Sequence, residues 1–209
     1  MRPQASNEYG YKLAYKLACE QLVKVSDIAQ QCLRSGARYH IIDSKKVITV
    51  EYLNQPYQII LPDIEISLVD SDKEVPLRDK ILILHYFTQA KGTHRSNKLI
   101  AYKELPGGAN YFPTFSKRAI KPLLNRFGNE PHELIEAAKK LAGQKVDYGD
   151  VGIIINAFSQ VPITLILWRG NDEFAPEGNI LFDSTISDYL STEDINVLCE
   201  TITWKLVKS

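Results

Sequence analysis

Hydrophobic positions along the chain switch between two periods, and the switches divide it into blocks. Over residues 8–35 the apolar side chains Tyr11, Ala14, Leu17, Ala18, Leu22, Val25, Ile28, Ala29, Cys32 and Leu33 recur at helical spacing. That pattern predicts one long amphipathic helix, with Asn7 as its N-cap and Gly36 as its stop. The period then shortens. Residues 39–43, 46–53, 56–61 and 64–69 are short runs rich in Ile, Val and Tyr, parted by Asp43-Ser44-Lys45 and Asn54-Gln55-Pro56, so an antiparallel meander is expected.

A charged turn at 70–74 leads to a second helix, from Pro76 or Leu77 to about Ala90, stopped by Gly92. Its run Ile81 to Phe87 is apolar around most of the circumference, which places this helix in the centre of the molecule. Residues 99–105 read as a strand, and Pro106-Gly107-Gly108 as a turn. A helix over 113–127 should be kinked or split by Pro122, and a short helix over 131–142 closes at Gly143. The last third is strand-like again at 144–148, 151–158, 163–168 and 179–182, with Gly149-Asp150 as a hairpin signal. Ser191-Thr192-Glu193-Asp194 caps a final helix running to about Val207. Strands and helices come in blocks rather than in alternation. The expected class is α+β: a largely antiparallel sheet with a long N-terminal helix, a buried central helix and a C-terminal helix, in one domain over 1–209.

Composition narrows the function classes. The 209 residues carry 25 Lys+Arg against 25 Asp+Glu, so no basic excess is available to collect phosphates, and neither nucleic acid nor an anionic membrane surface is expected as partner. At 44% hydrophobic and 24% charged the chain reads as an ordinary soluble protein. Cys19, Cys32 and Cys199 have no C-x-x-C spacing and sit among apolar residues, as buried small hydrophobes do. Residues 1–11 are polar, with no apolar leader segment. A reducing cytoplasm is the expected compartment.

Three arrangements carry candidate chemistry. On the second helix, an advance of about 100° per residue puts Arg78, His85, Thr88 and Gln89 on one stripe of an apolar cylinder, and such a ridge must find partners or line a cavity. His85 is then a ligand contact, a proton donor or an axial metal ligand; a core histidine bonded to a backbone carbonyl fits the same pattern. The second arrangement runs from Glu104 through Gly107, Gly108 and Tyr111 to Phe115, Lys117 and Arg118. Two glycines and a helix N-terminus could cradle a phosphate or carboxylate, or simply form a tight turn. It is neither a Walker A loop nor a G-x-G-x-x-G. The third runs from Trp168 to Phe174, with Asp183 beyond it; its acidic residues do not match a calcium loop, and a solvated loop explains them.

These residues resemble an uncharacterised domain-of-unknown-function family of anaerobic bacteria and archaea. The resemblance runs from about Tyr11 to the C-terminus. It rests on Leu84-His85-Tyr86, on Glu104-Leu105-Pro106-Gly107-Gly108 with Phe115, Arg118, Pro122-Leu123 and Phe127-Gly128, on Trp168-x-Gly170 through Glu173-Phe174, and on Leu181-Phe182-Asp183 and Tyr189-Leu190 before Glu193-Asp194. Asn171 stands where an aspartate is usual and Ser191 where a proline is usual. Some members look associated with corrinoid or iron–sulfur metabolism and carry a cysteine-rich segment ahead of the domain. This sequence lacks that segment, which speaks against an iron–sulfur role.

The expectation formed from both lines is a cytoplasmic accessory module that holds a cofactor-sized, partly anionic ligand between the His85 stripe and the Pro-Gly-Gly loop. Arg78 or Arg118 meets its acidic groups, Gln89 and Glu104 flank it, and Tyr86, Tyr111, Phe115 or Trp168 covers its apolar faces. A corrinoid or another tetrapyrrole with His85 as axial ligand is the version implied by the resemblance. Two alternatives stand beside it: an enzyme with His85 and Glu104 as acid–base pair on a small anionic substrate, and a protein-interaction module using the first helix or a strand edge.

Overall fold

A computed structural model of the chain describes residues 4–209, with side chains described from residue 9 onward. Where one long helix was expected there are two, α1 (Gln4–Val23) and α2 (Ile28–Ser35). The break is made by Asp27, which takes an extended conformation and accepts a hydrogen bond from the Gln30 N–H, an N-cap that starts a new helix. Apolar spacing is kept across the break, so the periodicity alone does not reveal it. At the other end α1 begins upstream of Asn7, whose proposed capping side chain lies outside the described residues. Gly36 closes α2 in the left-handed conformation, as expected.

The meander follows as β1 (Arg38–Ile42), β2 (Lys45–Tyr52), β3 (Gln55–Leu61) and β4 (Glu65–Leu68). Asp43 and Ser44 turn the first hairpin with positive φ. The second turn sits one residue earlier than expected, on Leu53 and Asn54, because Gln55 and Pro56 are already paired with Tyr52 and Glu51. After α3 (Leu77–Gln89), the expected strand at 99–105 is cut to β5 (Leu99–Ala101). The Glu104 carboxylate accepts the Ala101 N–H at 2.7 Å and winds residues 102–104 into a 3-10 turn.

A helical stretch then runs through α4 (Gly108–Phe115), a π turn at Ser116–Ile120 and α5 (Lys121–Phe127). It starts five residues earlier than the 113 read from the sequence. The stretch is divided just ahead of Pro122, as expected: the Lys121 N–H bonds back to the Ser116 carbonyl in a widened turn, and Pro122 stands in the first turn of α5. After α6 (Glu133–Ala138) come β6 (Gln144–Val146), β7 (Val151–Phe158), β8 (Val161–Trp168) and β9 (Glu177–Asp183), and α7 (Thr192–Val207) ends the chain.

All strand pairs are antiparallel, in one nine-stranded sheet of order β4-β3-β2-β7-β8-β9-β5, with β1 added on β2 and β6 on β7. The meander joins the second half at a single pair, Tyr52 with Phe158, where the two rings stack at 4.9 Å. The fold class is therefore α+β, with the largely antiparallel sheet and the helices the pattern predicted. Helix α3 packs against α1, α2, α7 and β2, and Leu82, Ile83, Leu84, Tyr86 and Phe87 are buried. Gln31 of α2 plugs its C-terminal end, donating through Nε2 to the carbonyls of Phe87 and Ala90. Among the described residues no helix is long and apolar enough to cross a membrane.

Candidate functional site

Because α3 is packed on nearly every side, its polar stripe emerges only where α1 and the first turn of α7 meet it. There His85 Nδ1 lies 2.7 Å from Asp194 Oδ1. Asp194 is the third residue of α7, and its other oxygen accepts from Ser191 Oγ at 2.6 Å while Ser191 Oγ accepts the Asp194 N–H, a capping box. One carboxylate thus starts the helix and orients the imidazole. The hydrogen bond that Asp194 accepts from His85 holds the His85 pKa above its ordinary value of 6.5, against the opposing pull of burial. Burial works to raise Asp194, but His85 and Ser191 outweigh it and leave the carboxyl below its ordinary value of 3.8.

Two cavities share His85 as a wall. One, of about 180 Å³, is lined by Arg78, His85, Ser191, Glu193 and Asp194 with Tyr11, Ala14, Ile81, Leu82 and Val197. The other, about 490 Å³ and more open, takes in Thr88 and Gln89 with Gln21 of α1 and Lys24 and Val25 just beyond its end. Thr88 turns its hydroxyl back to the Leu84 carbonyl at 2.8 Å, and Gln89 is exposed. Neither the Arg78 guanidinium nor His85 Nε2 has a hydrogen-bond partner among the described residues.

The Pro-Gly-Gly segment reaches α7 from the other flank. Leu105-Pro106-Gly107-Gly108 is a turn closed by a Gly108 N–H bond to the Leu105 carbonyl, with Gly107 at φ 70°. Gly108 is required by contact: a Cβ there would lie 1.9 Å from the Tyr102 carbonyl oxygen. Asn110 and Tyr111 N–H groups bond to the Gly107 carbonyl, so much of the expected N–H cradle is used within the turn. Thr192 Oγ1 donates to the Pro106 carbonyl at 2.8 Å, and Tyr102 hydroxyl to the Thr192 carbonyl at 3.3 Å. Between them lies a cavity of about 340 Å³ lined by Tyr102, Tyr111, Thr114, Arg118, Thr192, Glu193 and Asn196. Glu193 lines both this cavity and the His85 one. The first turn of α7 is thus the hub at which the two predicted halves meet.

Arg118 is half exposed, 3.8 Å from Glu200. Tyr111 is 65% exposed. Phe115 is fully buried, stacked on Tyr102 at 3.9 Å, and Tyr86 is sealed against Phe158 at 4.0 Å, so both belong to the core. Glu104 caps its own turn, and the carboxylate at His85 is Asp194 instead. Trp168 lies at the end of β8 beside the Gly149 turn, apart from these cavities. Asn171 Oδ1 accepts the Glu173 and Phe174 N–H groups and shapes that loop. Asp194 reads in the sequence as a helix-start acid; it stands 109 positions beyond His85, and no local signal joins them. Among the described residues no group of three or more His, Cys, Asp or Glu side chains is placed to hold a metal ion.

A family model described as a domain of unknown function (DUF3786) matches residues 27–204. The match begins at the Asp27 cap and holds both flanks of the α7 turn, while Tyr11 and Ala14 of α1 precede it. No curated protein and no solved structure matches the chain.

Proposed function

The chain belongs to the family described as a domain of unknown function (DUF3786), and on that premise we propose that it is a cytoplasmic accessory module binding a small ligand with an anionic group at the first turn of α7. One observation carries this reading: Arg78 and His85 line the same cavity, and neither the guanidinium, whose charge acts on the nearby Asp79, nor His85 Nε2 makes a hydrogen bond among the described residues. Half-buried polar groups of this kind seek partners. A carboxylate or phosphate oxygen pairs with the guanidinium fork, and His85 Nε2 supplies a second contact. The raised pKa of His85 keeps more of it in the donating, charged form near neutral pH than an ordinary histidine. The 340 Å³ cavity beyond Glu193 gives the rest of the ligand room beside Tyr111 and Arg118. Cys19, Cys32 and Cys199 are free thiols, which supports the reducing compartment.

The test is titration of the full chain with acetate and inorganic phosphate, followed by two-dimensional amide NMR. Shifts centred on residues of α3 and the α7 turn, lost in Arg78→Gln and His85→Ala variants that remain folded, are the expected result. Shifts unaffected by either substitution would overturn the assignment.

A second reading keeps the tetrapyrrole. Its support is the Nδ1 bond to Asp194, because a carboxylate behind an imidazole orients it and raises its basicity as a metal ligand through Nε2. The resemblance to members associated with corrinoid metabolism in anaerobes points the same way. Protein purified anaerobically from its own host would then show a corrinoid or other tetrapyrrole absorption band that His85→Ala removes; a colourless chain at its sequence mass leaves the small-anion reading.

A further inference from the structure

The opposite end of α7 forms a separate cavity of about 240 Å³. Lys205 and Lys208 reach it from the end of α7, and Lys140 from the 3-10 turn that follows α6; Leu53, Gln55, Leu141 and Ser209 complete the lining. No acidic side chain is part of the lining. The negative end of a helix dipole favours cations, which accounts for Lys205 and Lys208. It does not account for Lys140, which comes from another element and opens on the same space. Its neighbour Lys139 is paired with Glu136 at 2.6 Å, whereas Lys140, Lys205 and Lys208 have no carboxylate within ion-pair distance among the described residues.

Lys140, Lys205 and Lys208 line one cavity, with Lys208 Nζ also 5.7 Å from the Trp204 ring centroid and Lys205 acting on the buried Asp79 carboxylate, and an anion in that cavity would meet three positive side chains at once. The apolar floor strengthens the effect: Leu53 and Leu141 are buried, and charges beside low-dielectric surface interact more strongly than charges in open water. Lysine suits phosphate as a compact point charge with three donors, and the Gln55 amide adds a neutral donor. A singly charged anion neutralises one ammonium; an oligophosphate meets several at once. We infer that this cavity is a binding site for a small free oligophosphate group, independent of the site at the first turn of α7.

The experiment is calorimetric titration of the full chain at low ionic strength with tripolyphosphate, inorganic phosphate and citrate. Tripolyphosphate should bind more tightly than phosphate or citrate, and the affinity should fall as salt is added. The variant Lys140→Gln with Lys205→Gln and Lys208→Gln should lose at least about tenfold in affinity. All three lysines are exposed, so this variant stays folded, with only the small loss of stability that removing two cations from the end of α7 brings. Arg78→Gln should bind tripolyphosphate like the parent, which separates a failure here from a failure at α7's first turn. The site is overturned if the parent does not bind tripolyphosphate, if the triple variant binds it unchanged, or if Arg78→Gln abolishes binding. Equal binding of citrate overturns the oligophosphate assignment.

Discussion

His85 and Asp194 meet at 2.7 Å across 109 residues of chain, and this contact holds the central helix against the start of the last one. Its stability contribution has two pH limits. His85 has a raised folded pKa, so its share is present below the ordinary value of 6.5 and is lost as pH rises through the folded value. Asp194 has a lowered folded pKa, so its share is present above the ordinary value of 3.8 and is lost as pH falls through the folded value. Asp194→Asn should therefore drop the His85 pKa, since the carboxylate is the main raising influence and burial opposes it. Histidine NMR titration reads that directly, and urea unfolding near pH 5.5 should show a loss of about 1–3 kcal/mol. An unchanged His85 titration would show that the pair is not formed in solution.

The two adjacent glycines should respond differently to a single methyl group. At Gly107 the space is open and only the left-handed backbone resists, so Gly107→Ala should cost about 1–2 kcal/mol. At Gly108 the added carbon collides with the Tyr102 carbonyl, and the turn must shift. Gly108→Ala should cost more than Gly107→Ala and should perturb amide shifts at Thr192, which is tied to the Pro106 carbonyl. Denaturant unfolding of both variants checks the order.

Gln31 satisfies carbonyls at the end of α3 that the helix itself leaves without partners. Gln31→Leu keeps the volume and removes the donors. A loss of about 1–3 kcal/mol is expected, with faster amide exchange confined to the last turn of α3. Uniform acceleration over the whole chain would point to global destabilisation instead.

Asp183 is nearly buried and accepts from the backbone N–H groups of Ser96, Asn97 and Thr185 and the hydroxyls of Ser96 and Thr185. Burial acts to raise its pKa, yet these donors bring it down to about 2. Its contribution is therefore complete above the ordinary value of 3.8 and fades as pH falls toward 2. Asp183→Ala should cost about 3 kcal/mol at neutral pH, from several charge-assisted bonds, and the gap to the parent should narrow in acid. Thermal unfolding at neutral pH and below pH 3.8 measures both.

Particular elements show how far the pattern of residues reached. The meander was legible because alternation with period two survives in each strand, and α3 because an apolar circumference calls for burial on nearly every side. The Ser191 to Asp194 start of α7 was legible from capping chemistry alone. The break at Asp27 is hidden because apolar spacing continues across it, and the bond that Glu104 accepts from Ala101 is hidden because a carboxylate that caps its own turn reads like one free to react.

The sequence by itself determined the α+β class, the central helix, the Arg78–His85 stripe and the turn at Gly107-Gly108, since each depends on neighbours within a few residues. Only the tertiary structure decided that Asp194 is the partner of His85, that Thr192 ties the glycine turn to the same helix start, and that Lys140 joins Lys205 and Lys208. Those relations depend on how separate elements pack. A hydrogen bond or a shared cavity between distant residues leaves no period in the chain.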